Sequence, residues 1–382
     1  MKADLIAKGA SRYVVDKIER FDQKNDMWKR PLWDSSVMHF GQKFYMEELM
    51  PKDEPGYMLK DRAIRDAAWY LELEFAQGVR VGRTGLYAWE SKLWGETRLP
   101  KGIKMKVDDR ARVTKEIKKV ATFFGASLVR VCELDRRWLY SYSYDLVTKE
   151  HAPIEIPEDF KYAVALAIEM NYNVIGTSPT VLSDAATGLG YSKEAFVGGL
   201  LAQYIRLLGF KAIPMGNDTA CSIPVAIDAG LGELARNGLL ITPEFGPRVR
   251  ISKVFTDLPL VPDKPIEFGV WNFCLKCERC AQHCPSRAII HGEPTKEIHN
   301  ISNREGLLRW PVNAEKCFGF VAANGSGCSN CIRVCPFNKP PGWLHDTVRW
   351  GVKHTRWLDS FFVRMDDLFG YGKPVSADHF WD

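Results

Sequence analysis

The segment Cys274-Leu-Lys-Cys277-Glu-Arg-Cys280-Ala-Gln-His-Cys284-Pro285 is the most informative part of this chain. A second segment, Cys328-Ser-Asn-Cys331-Ile-Arg-Val-Cys335-Pro336, repeats its ending, and ten residues separate Cys328 from another cysteine, Cys317. Both segments share the two-residue and three-residue spacings and the final proline that are typical of bacterial ferredoxins. The sequence therefore predicts a domain folded around two [4Fe–4S] clusters.

The spacing also predicts which thiolates share a cluster. Three cysteines on a tight loop can bind three irons of one cube, while the fourth, beyond a short helical turn, reaches the other cluster. We expect one cluster on Cys274, Cys277, Cys280 and Cys335, and a second on Cys317, Cys328, Cys331 and Cys284. One or two tetrahedral zinc sites are the alternative. The remaining two cysteines, Cys132 and Cys221, are predicted to be buried packing residues.

Composition narrows the class of protein less than the cysteines do. The chain of 382 residues is 46% hydrophobic and 26% charged, which is typical of a globular protein of two or three domains. Its net charge of +5 is too mild to indicate nucleic-acid binding, and we expect no nucleic-acid partner. No apolar run is long enough for a transmembrane helix, and residues 1–21 lack the apolar core of a signal peptide.

We expect four regions along the chain. They are an N-terminal region (1–110), which the family resemblance described below implies is a cap, an α/β core (111–268), the two-cluster domain (269–342) and an aromatic C-terminal tail (343–382). Helices are predicted over 61–77 and 115–124, and strands over 127–133, 212–214, 239–242 and 249–255. Residues 162–170 suit a buried strand or a short helix. Ser192 is predicted to cap a helix that has Glu194 in its first turn and ends at Gly209.

The usual cofactor motifs are missing. No Gly-x-Gly-x-x-Gly follows a predicted strand, and no phosphate-binding Gly-x4-Gly-Lys-Ser/Thr is present. The Asp-x-His-x-x-Gly pattern, which lets a histidine bind the cobalt of cobalamin, is also missing. Any cobalamin here would therefore lack that lower ligand.

Several segments between residues 160 and 340 nevertheless resemble the cobalamin domain of reductive dehalogenases. They are Gly190-Tyr-Ser, Leu200–Gly209, Asn217-Asp, Ser222-Ile-Pro, Gly238–Arg248 and Thr256–Leu260, leading into Phe273-Cys274 in the order typical of that family. The resemblance implies an α+β fold, with a nitroreductase-like α/β core that binds a base-off corrinoid beside a ferredoxin-like two-cluster domain. It leaves the residues that contact cobalamin unassigned.

The resemblance also implies an activity. Family members remove halogen from an organohalide, using Co(I) cobalamin fed by two [4Fe–4S] clusters, with a tyrosine as proton donor. The implied partners are a small organohalide, an external low-potential electron donor and a possible membrane anchor protein. Respiratory members carry a twin-arginine leader that this chain lacks. The location is therefore cytoplasmic for the chain as it stands, or exported and membrane-associated if a leader was removed.

By motif position, the catalytic tyrosine, asparagine and basic residue of the family fall on Tyr191, Asn217 and Arg250. A cation beside a phenol stabilises the phenolate, so we expect Arg250 to lower the pKa of Tyr191 or to steady the leaving halide. Asn217 can orient the phenol or donate a hydrogen bond to substrate. Simpler interpretations stay open: Tyr191 as a packing residue before a helix cap, Asn217 as a turn former, and Arg248 in place of Arg250.

Two other classes of protein compete with this hypothesis. Epoxyqueuosine reductase is a related cobalamin and two-cluster enzyme that acts on tRNA, and a corrinoid or electron-transfer protein would need no catalytic residues. The mild net charge weighs against a tRNA substrate. Five tryptophans of the N-terminal region could line a site for a halogenated hydrocarbon, but none is assigned: Trp28, Trp33, Trp69, Trp89 and Trp94.

Overall fold

The computed structural model describes residues 8–76, 85–90, 99–100, 102–340, 342, 346, 351–352 and 359–382. Its helices are α1 (Met38–Gly41), α2 (Leu59–Tyr70), α3 (Arg110–Phe123), α4 (Tyr172–Gly176), α5 (Val181–Leu207), α6 (Ser222–Asp228), α7 (Val270–Lys276), α8 (Arg279–Gln282), α9 (Ala314–Asn324), α10 (Asn330–Arg333), α11 (Asp359–Leu368) and α12 (Asp378–Trp381). Its strands are β1 (Leu128–Glu133), β2 (Tyr142–Tyr144), β3 (His151–Pro153), β4 (Tyr162–Glu169), β5 (Ala212–Met215), β6 (Glu233–Leu234), β7 (Leu240–Ile241) and β8 (Val249–Thr256).

An antiparallel sheet of four strands, in the order β1-β4-β8-β5, lies at the centre of the core. The apolar run at 162–170, which the sequence left open between strand and helix, forms β4. Its alternate side chains enter two hydrophobic clusters on opposite faces of the sheet, with Ala163, Ala165 and Ala167 in one and Val164, Leu166 and Ile168 in the other. Because both faces are covered, the strand reads as a continuous apolar segment.

The prediction that Ser192 caps a helix is wrong. The N-cap of α5 is Thr180, whose side chain accepts a hydrogen bond from the Ser183 amide. Ser192 is buried within α5, and its hydroxyl donates to the Ala68 carbonyl at 2.6 Å. The helix is covered on most sides, so its first three turns lack the amphipathic period that marks a helix start. Glu194 therefore lies in mid-helix, and Tyr191 does not precede a cap.

The other predicted elements agree with the structure to within a few residues. The helix predicted over 61–77 is α2, continued by a π-helical segment at Leu71–Ala76, and Gln77 lies outside the described residues. The helix predicted over 115–124 begins earlier, at Arg110, because Asp109 caps it by accepting from two backbone amides. The strands predicted at 127–133, 212–214, 239–242 and 249–255 correspond to β1, β5, β7 and β8.

The cysteine-rich segment packs directly against the core. Buried Arg236 donates to the Cys274 carbonyl at 2.7 Å, and buried Arg248 donates to Asn338 Oδ1 at 3.0 Å. Ser178, at the entrance to α5, donates to Asn330 Oδ1 at 2.9 Å. These contacts come from three elements of the core, so the two-cluster region has a fixed position relative to the sheet.

The N-terminal region covers α5 and the cysteine-rich segment. α2 lies along α5, and Met27 and Val37 form a small cluster with Phe318 of α9. Within the described part of the chain, no helix is long and apolar enough to cross a membrane. Of the tryptophans noted above, Trp94 lies outside the described residues, as do Trp343, Trp350 and Trp357 of the predicted tail. The four-region division of the chain stays a prediction.

Candidate active site

The structure brings Tyr191, Asn217 and Arg250 together from three elements. Tyr191 lies in the middle of α5, Asn217 in the loop after β5, and Arg250 near the start of β8. Asn217 Nδ2 donates to Tyr191 Oη at 2.7 Å. The Arg250 guanidinium carbon is 4.8 Å from the centroid of the Tyr191 ring, and Arg250 Nη2 donates to Thr187 Oγ1 at 3.1 Å. Tyr191 is half-buried, and Asn217 is exposed.

Two glycines of α5 permit this convergence. A Cβ on Gly190 would lie 2.8 Å from Arg250 Cγ, and a Cβ on Gly188 would lie 2.4 Å from Trp69 Cδ1. Trp69 of α2 stacks on Tyr191, with ring centroids 5.0 Å apart and 24° between the ring planes. The glycines thus allow an arginine and an indole to contact the same phenol ring.

Burial decides the acidity of the phenol. It raises the pKa of Tyr191 above its usual value near 10, and Glu194 and Glu72 raise it further. Arg250 and the hydrogen bond from Asn217 act in the opposite direction, but they only partly offset burial. Arg250 therefore lowers the pKa of Tyr191 as expected, while burial sets the net direction. Tyr191 keeps its proton at neutral pH.

Arg248 has different neighbours from Arg250. It is fully buried and donates to Glu169 Oε1 at 2.5 Å, to Asn338 and to the Met170 carbonyl. These partners join the end of β4 to the cysteine-rich segment. Arg248 therefore holds two parts of the fold together, and Arg250 is the arginine that contacts the phenol.

Sequence reasoning missed two polar residues behind this site. Lys253 of β8 is fully buried, and its Nζ donates to the Gly216 carbonyl and, at 2.8 Å, to Ser222 Oγ. Ser222 in turn donates to Asn217 Oδ1 at 2.9 Å. The signal was a lysine inside the apolar strand Ile251–Phe255, where an unpaired charge is rarely buried.

A third missed residue is Glu194, one helical turn from Tyr191. It is fully buried, and neither carboxylate oxygen has a hydrogen-bond partner among the residues the structure describes. Burial and the nearby Glu72 raise its pKa well above the usual range for a carboxylic acid. Burial without a hydrogen-bond partner therefore favours the protonated form of Glu194.

The thiols expected to share the first cluster affect one another electrostatically. Burial raises the pKa of Cys274, and the negative charges of Cys277 and Cys335 raise it further. Cys280 is raised by burial and then mainly by Cys274 and Cys335. An iron–sulfur cluster binds cysteines as thiolates, and its iron would offset this repulsion when bound. These residues fit the cofactor, and their assignment to one cluster stays a prediction.

The second predicted set shows the same mutual influence. Burial raises the pKa of Cys317 to about 12, with contributions from Cys328 and Cys284. The pKa of Cys331 is raised by burial and then by Cys328, Cys317 and Cys284, with a smaller effect of Cys335. Cys284 of the first motif thus influences the thiols of the second motif, and the crossed assignment stays a prediction.

The second set lies nearer the Tyr191 helix. Cys331 packs against a cluster that includes Met170, Leu182 and Ala186, and the last two belong to α5. Cys274 and Cys277 instead pack with Phe268, Phe273 and other residues of the cysteine-rich region. Of the two remaining cysteines, Cys132 is buried in the core as predicted, whereas Cys221 is half-buried and packs against the same core.

A corrinoid without a histidine ligand is compatible with the described residues around Tyr191. His151 contacts Asp22, His283 contacts the Arg279 carbonyl, and His291 contacts Glu278, all away from this site. Two hydrogen-bond donors at the site, Trp69 Nε1 and Arg250 Nε, are buried and have no partner among the residues described. The site therefore has donor capacity for a group that carries acceptors, as corrin amides do.

Comparison with known proteins gives matches over most of the chain. Residues 273–338 match a family model described as a 4Fe-4S double cluster binding domain, which favours clusters over zinc. Tetrachloroethene reductive dehalogenase of Sulfurospirillum multivorans is 36% identical over 351 residues, covering 84% of this chain and 70% of that protein. A protein of the same name from Desulfitobacterium hafniense is 37% identical, covering 85% and 70%. Epoxyqueuosine reductase of Bacillus cereus is 35% identical over 29% of this chain.

A solved structure supports the same fold. A catabolic reductive dehalogenase in complex with 3-bromo-4-hydroxybenzoic acid superposes with a TM-score of 0.71 at 23% identity, covering 97% of this chain and 51% of that one. This chain thus spans about half the length of the solved protein that it matches. At that identity the likeness shows the fold, which combines helices and sheet with a two-cluster domain.

Proposed function

The chain belongs to the reductive dehalogenase family, and from this premise we propose that it replaces a halogen of a small organohalide with hydrogen. The reaction consumes two electrons and one proton, breaks the carbon–halogen bond, forms a carbon–hydrogen bond and releases halide. In this proposal Tyr191 supplies the proton. Asn217 and Arg250 stabilise the phenolate that remains.

The contact between Asn217 and Tyr191 is the observation that carries the proposal. Since the amide donates to the phenol oxygen at 2.7 Å, the phenol does not donate its own hydrogen to Asn217 and can donate it to substrate. Once the proton has left, the same amide hydrogen is donated to a negative oxygen, and hydrogen bonds to charged groups are the stronger ones. The Arg250 guanidinium lies over the phenolate ring and stabilises its charge. This arrangement favours proton donation although burial makes the resting phenol a weak acid.

The bound cofactors supply the redox chemistry: a corrinoid provides low-valent cobalt, and two [4Fe–4S] clusters deliver electrons. We assign Cys274, Cys277, Cys280 and Cys335 to one cluster and Cys317, Cys328, Cys331 and Cys284 to the other. The packing of Cys331 against α5 supports the second as the cluster nearer the active site. An external low-potential electron donor would then reduce the first cluster. A membrane anchor protein is the second partner of this proposal.

Aromatic side chains beside the phenol suit an apolar substrate. Trp69 stacks on Tyr191, and an indole surface binds halogenated hydrocarbons, which offer almost no hydrogen bonding. The names of the relatives and the solved complex define a test panel of tetrachloroethene, trichloroethene and 3-bromo-4-hydroxybenzoic acid.

Halide release tests the proposal. The full chain is reconstituted anaerobically with cobalamin, iron and sulfide, reduced with an excess of viologen, and assayed on the panel by ion chromatography. We expect halide from at least one compound, in an amount equal to the dehalogenated product, and no turnover of epoxyqueuosine tRNA. Turnover of the tRNA without halide release from any compound would overturn the proposal.

A further inference from the structure

Lys253 occupies a place where a lysine is costly. It lies in the centre of β8, opposite Ala165 of β4 and Met215 of β5, and has no exposed surface. Burying an ammonium is unfavourable unless its hydrogen bonds are satisfied. Two of its protons are directed at fixed acceptors, the Gly216 carbonyl and Ser222 Oγ. A buried charge with defined partners, directly behind Asn217, calls for a role.

The hydrogen bonds of Lys253 lead through Ser222 to Asn217. A lysine ammonium can only donate, so Ser222 Oγ must accept from it at 2.8 Å. The single Ser222 proton then points elsewhere, to Asn217 Oδ1 at 2.9 Å. In this arrangement the amide presents Nδ2 to Tyr191 Oη, at 2.7 Å. The reversed amide would leave the Ser222 proton without its Asn217 acceptor. The reversed amide would place Oδ1 against the phenol and draw the Tyr191 proton towards Asn217.

We propose that Lys253 is a positioning residue that acts through Ser222 to fix the amide orientation of Asn217, so that Tyr191 stays free to donate its proton to substrate. This inference rests on the proposed function, because it assumes that Tyr191 is the proton donor. Without the ammonium, the direction of the Ser222 proton is no longer fixed by Lys253, and both amide orientations become available.

The inference predicts a pH dependence. Lys253 faces Glu194 of α5, Asp218 of the loop after β5, and the Cys221 thiol before α6. Burial lowers its pKa from 10.5 to about 8, although these three groups oppose the change. Above that pH the neutral amine can accept from Ser222, and the constraint on Asn217 is lost. We therefore expect kcat to fall on the alkaline side with a midpoint near the pKa of Lys253.

Lys253→Met tests the inference because methionine fills similar space without donating. We expect kcat to fall about tenfold to a hundredfold with KM unchanged, as for other misplaced catalytic groups, and the alkaline fall in kcat to disappear. Ser222→Ala should give the same loss, and combining the two changes should add little, since both break one chain of hydrogen bonds. Ser222→Thr keeps the hydroxyl and should retain activity.

Ser252→Ala is the matched control. Ser252 is equally buried on β8, and it donates to the Glu194 carbonyl, so it takes no part in the hydrogen bonds that link Lys253 to Asn217.

A spectroscopic readout separates positioning from a structural effect. The ultraviolet resonance Raman difference between holoenzyme and its Tyr191→Phe variant isolates the Tyr191 ring doublet, whose intensity ratio distinguishes a phenol oxygen that accepts from a phenol that donates. We expect the accepting signature in the wild type and in Ser252→Ala, and a shift towards the donating signature in Lys253→Met and Ser222→Ala.

An unchanged Tyr191 signature in Ser222→Ala would overturn the inference, even if Lys253→Met failed to fold. The inference would also be overturned if kcat of Lys253→Met still fell on the alkaline side. Failure of the proposed function looks different: Tyr191→Phe would then retain activity while the Raman signature still responded to Ser222→Ala.

Discussion

Arg250 lies over the ring of Tyr191, with its guanidinium carbon 4.8 Å from the ring centroid. Burial raises the pKa of this phenol, and Arg250 is the largest influence that lowers it. The pair therefore combines a proton that stays in place at neutral pH with a cation ready to stabilise its loss. Such a balance suits a donor that must act only when substrate is bound.

Replacing Tyr191 with phenylalanine should remove the proton donor and leave the fold. Phenylalanine keeps the ring that stacks on Trp69, so the free energy of unfolding should change little. We expect halide release to fall about a hundredfold or more, the usual contribution of a general acid. Corrinoid absorption and iron content measured on the same sample serve as controls. A variant with full activity and both cofactors would exclude Tyr191 as the donor.

Replacing each of the two arginines of the Arg248-Val-Arg250 segment should have a different effect, on activity in one case and on stability in the other. Arg250→Met should lower kcat about tenfold to a hundredfold, because it removes a cation beside developing negative charge, while the melting temperature changes little. Arg248→Met should destabilise the fold by about 1–3 kcal/mol, because it leaves buried acceptors unsatisfied. Calorimetry and halide release on both variants test the contrast. Equal losses of activity at equal stability would contradict the separate roles of the two residues.

Much of this architecture could be predicted from local patterns. The cysteine spacings predicted the two-cluster domain that the family model matches over residues 273–338, because ligand spacing within a motif is a local property. The strands at 127–133 and 249–255 followed from short apolar runs for the same reason. Tyr191, Asn217 and Arg250 came from motif resemblance, and no periodicity in the sequence would have placed them in contact.

The features that could not be predicted from the sequence depend on tertiary packing. Ser192 looked like a helix cap because Glu194 follows it in what would be a first turn, whereas α5 begins at Val181 and buries both residues. The net direction of the Tyr191 pKa depended on burial, which a single sequence does not reveal. The link from Lys253 to Asn217 joins residues of β8, α6 and a loop, so only the folded chain shows it.

The two glycines of α5 that differ most in their surroundings provide a stability test. A Cβ on Gly188 would lie 2.4 Å from Trp69, whereas the nearest atom to a Cβ on Gly198 is 3.8 Å away. Gly188→Ala should therefore cost about 1–3 kcal/mol through overpacking and lower activity, because Trp69 stacks on Tyr191. Gly198→Ala should instead gain about 0.5–1 kcal/mol, the helix preference for alanine. Thermal unfolding of both holoproteins measures the difference, and equal effects would show that Trp69 moves aside freely.

Paired cysteine variants test how the thiols are divided between the clusters. Cys274→Ala/Cys335→Ala removes two ligands from one cluster in the crossed assignment, so the other cluster should remain, with about four irons per chain. Cys274→Ala/Cys284→Ala is the matched control, because it takes one ligand from each cluster and should perturb both electron paramagnetic resonance signals. We expect these two results because Cys284 affects the pKa of Cys317 in the second set, and Cys277 affects the pKa of Cys335 in the first set. If each motif held its own cluster, the two results would be exchanged: the Cys274/Cys284 variant would keep one intact cluster, and the Cys274/Cys335 variant would damage both.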